Sequence, residues 1–257
     1  MRAAAVVIGL LALLFSPPST ARASGPFSNW AAVVVAGDFH AHSGGPTEAF
    51  DNARRDVSRT LVALGFDKAA VQQFSVRPER YPSEGPGRSD ARTIHDALRS
   101  TARTATAGCL FYISSHGSPE GTILGEETLR PHMLSAMLND ACPGRPSVVV
   151  ISACFSGVFI PPLQKNDRLI LTAARPDRAS FGCGESDRYP YFDDCFLSAA
   201  PMARDFMALG AGVQACVARK EQETGATPAS EPQVWVGPAL RPVLPLYAFN
   251  RSAAGAR

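Results

Sequence analysis

The chain has 257 residues, of which 46% are hydrophobic and 19% charged, and its formal net charge is +2. That length and apolar content suit one large α/β domain with an ample core. The basic residues form no Lys/Arg cluster, so we expect neither nucleic acid nor an anionic membrane surface as a partner.

Residues 1–23 have the features of a secretory signal peptide. Arg2 precedes an apolar run from Ala3 to Phe15, and the small-residue site Ala21-Arg22-Ala23 follows it. Cleavage is predicted after Ala23. The apolar run is too short to span a bilayer and no second long run follows, so no stable membrane insertion is expected. The mature protein is predicted to be secreted or periplasmic.

The rest of the chain alternates strands and helices. Strands are predicted at 31–36, 71–76, 168–172 and 233–237 and at the start of 109–117 and 147–157, with helices at 47–65, 89–101, 131–141 and 199–223. The segment 77–88 is rich in proline, glycine and charge, which predicts a mobile surface loop. Residues 238–257 are predicted to form an irregular, proline-rich tail.

Two central stretches each place a reactive side chain directly after a predicted buried strand. His116 ends the strand within 109–117, and Cys154 follows the strand within 147–157. The segment 131–141 between them is amphipathic, so the order strand, helix, strand indicates a parallel crossover. Both turns would then lie at the carboxyl ends of neighbouring strands, where open α/β sheets bind ligands. We expect His116 and Cys154 to face each other across one cleft.

A thiol and an imidazole in this arrangement form a nucleophile and its base. The imidazole can take the thiol proton, which generates the reactive thiolate. Gly117 has no side chain and allows a substrate carbonyl to approach the backbone. The N–H groups of Gly117 and Cys154 are therefore predicted to form an oxyanion hole.

The loop after the first strand contains His40 and His42, with Asp38 nearby. A metal site would need at least one more ligand, and none is fixed by spacing here. Neither a metal nor another cofactor is expected.

Export would permit disulfides among the six cysteines. If Cys154 stays reduced, five remain, so at most two bridges can form and one thiol is left over. A bridge between Cys183 and Cys195 would close a loop of useful size. Cys109 lies in a predicted buried strand and is expected to be a packed free thiol. The sequence assigns no partner to the remaining two cysteines.

Two motifs resemble those of a known family. Ser-His-Gly-Ser-Pro-Glu-Gly (115–121) and Ile-Ser-Ala-Cys-Phe-Ser-Gly (151–157) are similar to the His-Gly and Ala-Cys motifs of the legumain-like cysteine peptidases (family C13, clan CD), in particular their bacterial branch. Supporting stretches occur in matching order at 33–38, 172–183, 191–194 and 230–233. The resemblance covers about residues 30–237. It implies a peptidase domain at 24–237 with the caspase-like α/β sandwich, a mostly parallel sheet of about six strands with helices on both faces.

The resemblance also implies an activity. The chain would be an exported thiol protease, a hydrolase that cleaves polypeptide substrates through a Cys154 thioester with His116 as general base and acid. The loop containing His40 and His42 would form one wall of the substrate cleft. Legumain-like enzymes include ligases and transamidases, so a transpeptidase side activity is implied as well.

The specificity pocket departs from the legumain pattern. Ser152 occupies the position of an acidic residue two places before the nucleophile, and Thr47-Glu48 replace an Arg-His pair. Asp194 matches an acidic pocket residue, and Ser180 falls on a pocket-lining loop. Ser152, Ser180 and Asp194 are thus the expected substrate contacts. A strict preference for asparagine is not expected; an acidic pocket without its arginine favours a basic or small polar side chain.

Two other protein classes remain as alternatives. One is a catalytically silent caspase-like binding module in the export compartment, which the presence of both reactive residues and Gly117 disfavours. The other is a serine hydrolase, but its G-x-S-x-G motif is absent because Ser156 has glycine on only one side.

Overall fold

The computed structural model describes residues 25–250. The predicted signal peptide and its cleavage site therefore lie outside the described residues, as do residues 251–257. The strands are β1 (Trp30–Ala36), β2 (Val71–Ser75), β3 (Gly87–Arg88), β4 (Gly108–Ser114), β5 (Gly117–Ser118), β6 (Gly121–Leu124), β7 (Glu127–Leu129), β8 (Ser147–Ser152), β9 (Arg168–Thr172) and β10 (Gln233–Val236). The α-helices are α1 (Ala49–Ala63), α2 (Ala91–Thr101), α3 (Pro131–Ala141), α4 (Ile160–Leu163), α5 (Tyr191–Ala199) and α6 (Phe206–Thr224).

The main sheet has seven strands in the order β10-β9-β8-β4-β1-β2-β3. All neighbours are parallel except β10, which runs antiparallel to β9. The predicted mostly parallel sheet is confirmed, and the strand beyond the expected six is the two-residue β3. The central strands are almost wholly apolar because they are buried on both faces. Strand β4 lies beside β8, as the crossover pattern predicted.

Helices cover both faces of this sheet. Alternate strand residues such as Val34 and Leu110 pack against α1, α5 and α6 in one apolar cluster. The residues between them, such as Val33 and Phe111, pack against α2, α3 and α4 in a second cluster. The result is the predicted sandwich of helix, sheet and helix.

Two features differ from the sequence-based expectation. The segment 199–223 was expected to be one largely helical stretch, but it contains the end of α5, a break and then α6. Asp205 starts α6 as its N-cap, because its carboxylate accepts the N–H of Ala208 (2.8 Å). Strands β5, β6 and β7 form a small antiparallel sheet directly after the His116 turn, and this sheet was not predicted.

The disulfides correct two expectations about the cysteines. They join Cys109 to Cys142 and Cys195 to Cys216. The predicted Cys183–Cys195 bridge is wrong, because Cys195 lies on the buried side of α5 and faces α6. Cys109 is likewise not a free thiol, since α3 ends beside the start of β4. The expected limit of two bridges is confirmed, with Cys154 and Cys183 remaining free.

The described part of the predicted tail packs onto the domain. A 3-10 helix at Arg241–Leu246 leads to Tyr247 and Phe249, whose rings contact Phe27. Leu240 is only 3% and Phe249 5% exposed, so the described part of the tail contributes two side chains to the core. Within residues 25–250, none of the helices has the length and apolar character needed to cross a bilayer.

Candidate active site

The predicted reactive residues lie at the ends of two adjacent strands. Ser114, the last residue of β4, is paired with Ser152, the last residue of β8. The N–H of Ser115 donates to the carbonyl of Ser152 (3.0 Å), which extends the pairing by one residue. His116 and Cys154 each follow two residues after these strand ends. The parallel register therefore brings both turns to the same edge of the sheet.

Gly117 packs directly against the Cys154 turn. A Cβ atom on Gly117 would lie 3.0 Å from the Cβ of Ala153 and closer still to the carbonyl oxygen of Cys154. Real Cβ atoms do not approach backbone this closely, so only glycine fits without moving one turn. This contact shows that the turns bearing the imidazole and the thiol touch each other.

A carbonyl group determines the tautomer of the His116 ring. The ring Nε2 lies 2.8 Å from the carbonyl oxygen of His40. A carbonyl can only accept, so Nε2 carries the proton and Nδ1 is the basic nitrogen of the neutral ring. The ring of Phe50, on α1, packs edge-on against the imidazole with centroids 5.1 Å apart. The orientation of His116 is thus fixed by a loop on one side and a helix on the other.

The Cys154 thiol has Ser180 as its hydrogen-bonding partner. The backbone N–H of Ser180 donates to Sγ (3.2 Å), and the Ser180 carbonyl and hydroxyl oxygens lie 3.5 and 3.6 Å from it. In the described chain no hydrogen bond joins Sγ to the His116 ring. Phe155, which follows the thiol, has a left-handed backbone with φ of 57°. Strain at a bulky residue is typical of functional turns.

The backbone N–H groups of Gly117 and Cys154, the two predicted oxyanion donors, have different surroundings. Ile123 donates its N–H to the carbonyl of His116 (2.9 Å), so these residues form a hydrogen-bonded pair. Hydrogen-bonded and open pairs alternate along an antiparallel ladder. The next pair, Gly117 with Thr122, is therefore open, and the Gly117 N–H points away from β6. The N–H of Cys154 has no acceptor in any described turn or loop.

A buried carboxyl group lies beneath both turns. Asp193, in the first turn of α5, accepts hydrogen bonds from the hydroxyls of Tyr112, Ser114 (2.6 Å) and Ser152 (2.9 Å). Complete burial raises the pKa of Asp193 to about 6, although the three hydroxyl donors lower it, and Asp194 raises it further. Burial and the Asp193 charge hold the pKa of Tyr112 well above its usual value, so its phenol remains a donor.

Sequence reasoning missed Asp193, although a signal was present. Tyr112 and Ser114 are two residues apart in an otherwise apolar strand, so they share a face. Ser152 is opposite Ser114 in the predicted neighbouring strand. Three buried hydroxyls on one face require an acceptor, and Asp193 supplies it.

The predicted substrate contacts have different surroundings. Ser180 adjoins the thiol, as described. Ser152 is 2% exposed and its hydroxyl is bound to Asp193, so its burial gives no support to direct substrate contact. Asp194 forms an ion pair with Lys220 on α6, so its charge is already partnered. Direct contact of these three residues with substrate stays a prediction.

The second free thiol, Cys183, lies in the same loop as Ser180. Burial and the nearby Cys154 raise the pKa of Cys183 to about 11, so it stays protonated at neutral pH. Elsewhere in the loop after β1, the Nδ1 of His40 is bound to Asp38 (2.8 Å). Among residues 25–250 no group of three or more His, Cys, Asp or Glu side chains could hold a metal ion.

The comparisons with known proteins agree with this geometry. The profile of the Peptidase C13 family matches residues 90–210, which include both reactive residues. Among solved structures, Caspase-1 from Spodoptera frugiperda is similar, with a TM-score of 0.59 and 18% identity over 81% of this chain and 88% of that chain. At that identity the likeness shows the fold alone. No curated protein is significantly similar in sequence.

The caspase-like fold and the family match together define a cysteine-type peptidase. The resemblance noted in the sequence is confirmed over residues 90–210, which match the model of the Peptidase C13 family, the legumain family.

Proposed function

We propose that the chain is an exported endopeptidase that hydrolyses peptide bonds through a thioester on Cys154, with His116 as general base and acid. The observation that supports this most is the contact between the two turns, in which Gly117 packs against Cys154. It brings a thiol, an imidazole and two free backbone donors to one edge of the sheet. This is the set of groups that acyl transfer requires.

Acylation begins with transfer of the Cys154 proton to Nδ1 of His116. The thiolate then attacks the carbonyl carbon of the peptide, and the N–H groups of Gly117 and Cys154 stabilise the oxygen that becomes negative. The C–N bond breaks, the departing amine takes the proton from His116, and a thioester remains. Nε2 keeps its proton throughout, because the His40 carbonyl accepts a hydrogen bond from the Nε2–H group.

Deacylation reverses the proton transfers. His116 removes a proton from water, the resulting hydroxide attacks the thioester, and the thiol is regenerated as the carboxylic acid leaves. An amine can replace water at this step and form a new peptide bond. The transpeptidase side activity is proposed on this chemistry, which needs no further group.

We expect a small polar side chain at the substrate position before the cut. A basic side chain would need a free acid, but Asp194 is paired with Lys220 and Asp193 is wholly buried. Ser180, which adjoins the thiol, offers a neutral hydroxyl instead. A peptide-library profile that accepts asparagine and no other small polar side chain, or one dominated by lysine and arginine, would contradict this expectation.

Hydrolysis by the mature chain, residues 24–257, tests the proposed activity. Cys154→Ala and His116→Ala should each lower kcat/KM at least about 10³-fold. Cys183→Ala, which removes the other free thiol, is the matched control and should remain active. A thiol-directed reagent should abolish turnover and a serine-directed reagent should not. Persistent hydrolysis in Cys154→Ala would refute the mechanism.

Export is tested separately from catalysis. N-terminal sequencing of the protein recovered outside the cytoplasm should begin at Ser24, as predicted for cleavage after Ala23. Full-length chain that begins at Met1 and stays in the cytoplasm would contradict export without affecting the proposed chemistry.

A further inference from the structure

The loop after β1, residues 37–47, connects to both halves of the site. Its His40 carbonyl accepts the Nε2–H of His116. Farther along, the N–H of His42 donates to the carbonyl of Cys183 (3.3 Å), in the loop that also contacts the nucleophile. The orientation of the His116 ring therefore depends on where this loop is held.

The two ends of this loop are joined at a narrow neck, formed by residues 39–40 and 46–47. The N–H of Thr47 donates to the carbonyl of Phe39 (2.8 Å), and His40 and Pro46 form an isolated antiparallel bridge. The carbonyl that binds His116 belongs to the neck itself. Any group that fixes the neck also fixes this acceptor.

Arg77 contacts both sides of the neck. Its guanidinium lies over the ring of Phe39, 4.5 Å from the centroid. The same group donates through Nη2 to the carbonyl of Thr47 (3.1 Å). The side chain is only 12% exposed, so little solvent competes for these contacts. A planar guanidinium can stack on a ring and donate at its edge at once, whereas an ammonium cannot.

Acidic residues hold the guanidinium in this place. The carboxylates of Glu48 and Asp51 lie 3.3 and 3.8 Å from Nη2 of Arg77, and the Tyr81 hydroxyl donates to Glu48. Arg80 pairs with the same Glu48 carboxylate at 3.1 Å, but its side chain is 56% exposed. Within residues 25–250 no hydrogen bond or ring contact joins Arg80 to the neck. The two arginines therefore share an ion-pair partner and differ in their contact with the loop.

We propose that Arg77 is a positioning residue for His116. It clamps the neck and thereby holds the His40 carbonyl where it accepts the Nε2–H. If the neck shifts, Nε2 loses its acceptor, and the ring can take the other tautomer, in which Nδ1 carries the proton and is no longer a base. The inference rests on the proposed role of His116 as the base at Nδ1.

The matched pair Arg77→Lys and Arg80→Lys tests this role. Both variants keep a positive charge beside Glu48, but only Arg77→Lys loses the stacking on Phe39 together with the hydrogen bond to the Thr47 carbonyl. We expect Arg77→Lys to lower kcat about tenfold or more, because small misplacement of a catalytic group is costly. The factor by which KM changes should be smaller than the fall in kcat, since the base acts in the chemical step whereas this loop is only one wall of the expected substrate cleft. Arg80→Lys should match wild type in both constants.

The tautomer of His116 provides a readout that does not require activity. Long-range ¹H–¹⁵N spectra of histidine-labelled protein distinguish Nε2–H from Nδ1–H rings, and the His116 signals are those lost in His116→Ala. Wild type and Arg80→Lys should show the Nε2–H form, and Arg77→Lys a mixture of the two. An unchanged tautomer in folded Arg77→Lys would overturn the proposal and leave the peptidase mechanism intact.

The same spectra separate failure of this inference from failure of the proposed function. A tautomer that changes in Arg77→Lys while wild type hydrolyses no peptide would support the clamp and refute the proposed catalysis. If Arg77→Lys does not fold, Phe39→Leu replaces it, because it removes the stacked ring without altering any charge. An Nε2–H ring unchanged in folded Phe39→Leu would then overturn the proposal.

Discussion

Asp193 is a buried carboxyl group whose raised pKa links the stability of the fold to pH. Its carboxyl group is wholly buried, and burial raises its pKa from the ordinary 3.8 to about 6. The folded protein thus holds a proton that the unfolded chain releases between these values. The stabilisation is complete below pH 3.8 and is lost as the pH rises through 6.

Denaturant unfolding of wild type and Asp193→Asn measures this effect. The amide cannot ionise, so the variant lacks the pH dependence that belongs to Asp193. We expect the free energy of unfolding of wild type to fall relative to the variant by on the order of 2 kcal/mol between about pH 4 and about pH 7. Parallel curves for the two proteins would mean that the carboxyl group is not held protonated.

Gly117 is the residue whose replacement tests the contact between the turns. In Gly117→Ala the new methyl group would collide with the Cys154 backbone, which cannot rotate away as a side chain can. The Gly117 N–H would be displaced from the proposed oxyanion hole, and kcat should fall about 10²-fold or more. Gly212→Ala, in α6, is the control, because its methyl group would meet only the side chain of Ala199, at the end of α5. Equal activity in both variants would contradict the account.

At the scale of elements, the α5–α6 disulfide supports the helix that carries Asp193. Cys195 follows Asp193 by two residues, and its bridge to Cys216 spans a separation of 21 residues. Replacing both cysteines with alanine should lower the free energy of unfolding by about 3 kcal/mol. It should also slow the modification of Cys154 by a peptide-based electrophile, because α5 loses its tie to α6.

The other disulfide provides the control for this measurement. Cys109 and Cys142 join the amino end of β4 to the end of α3, at the edge of the sheet away from His116. Their replacement should destabilise the protein to a similar degree without slowing Cys154 modification in the folded state. Equal slowing in both double variants would show that α5 has no special link to the site.

The elements whose own residues form a clear apolar run or an amphipathic pattern could be predicted from the sequence. The buried runs of β4 and β8 and the amphipathic, proline-started α3 were recognised, and together they fixed the crossover that brings His116 and Cys154 together. Their order along the chain was sufficient because two strands joined by a crossover helix are parallel and usually neighbours, so their carboxyl ends lie together.

The elements that depend on residues distant in sequence could not be predicted. Strands β5 to β7 have two to four residues each, too few to show an alternation, and they form only because the chain reverses after Gly117. Helix α5 was not predicted either, and the position of Asp193 in it depends on hydroxyl donors from β4 and β8, which are distant in sequence. Disulfide pairing likewise depends on which helices pack together. Spacing along the sequence favoured Cys183 as the partner of Cys195, whereas the packing of α5 on α6 makes Cys216 the partner.

At the scale of the whole molecule, the C-terminal segment closes the end of the sandwich away from the site. Phe249 packs among the rings of Phe27 and Phe206, and Tyr247 contacts Trp30. This aromatic cluster joins residues near both ends of the described chain.

Paired substitutions in this segment test its contribution to the fold. Phe249→Ala should cost about 3–5 kcal/mol of unfolding free energy, because it leaves a cavity among packed rings. Leu246→Ala, at a side chain that is 71% exposed, should change stability by less than about 0.5 kcal/mol. Thermal or denaturant unfolding measures both, and equal effects would show that the segment is not part of the core.

The central claim is that Cys154 and His116 act together as nucleophile and base. The most direct test is labelling of the mature protein with a peptide acyloxymethyl ketone, followed by mass-spectrometric mapping of the modified residue. We expect one label on Cys154, none on Cys183, and no labelling in Cys154→Ala or His116→Ala. A folded, reduced wild-type protein that stays unlabelled, or one labelled equally well without His116, would contradict the account and favour a caspase-like binding module.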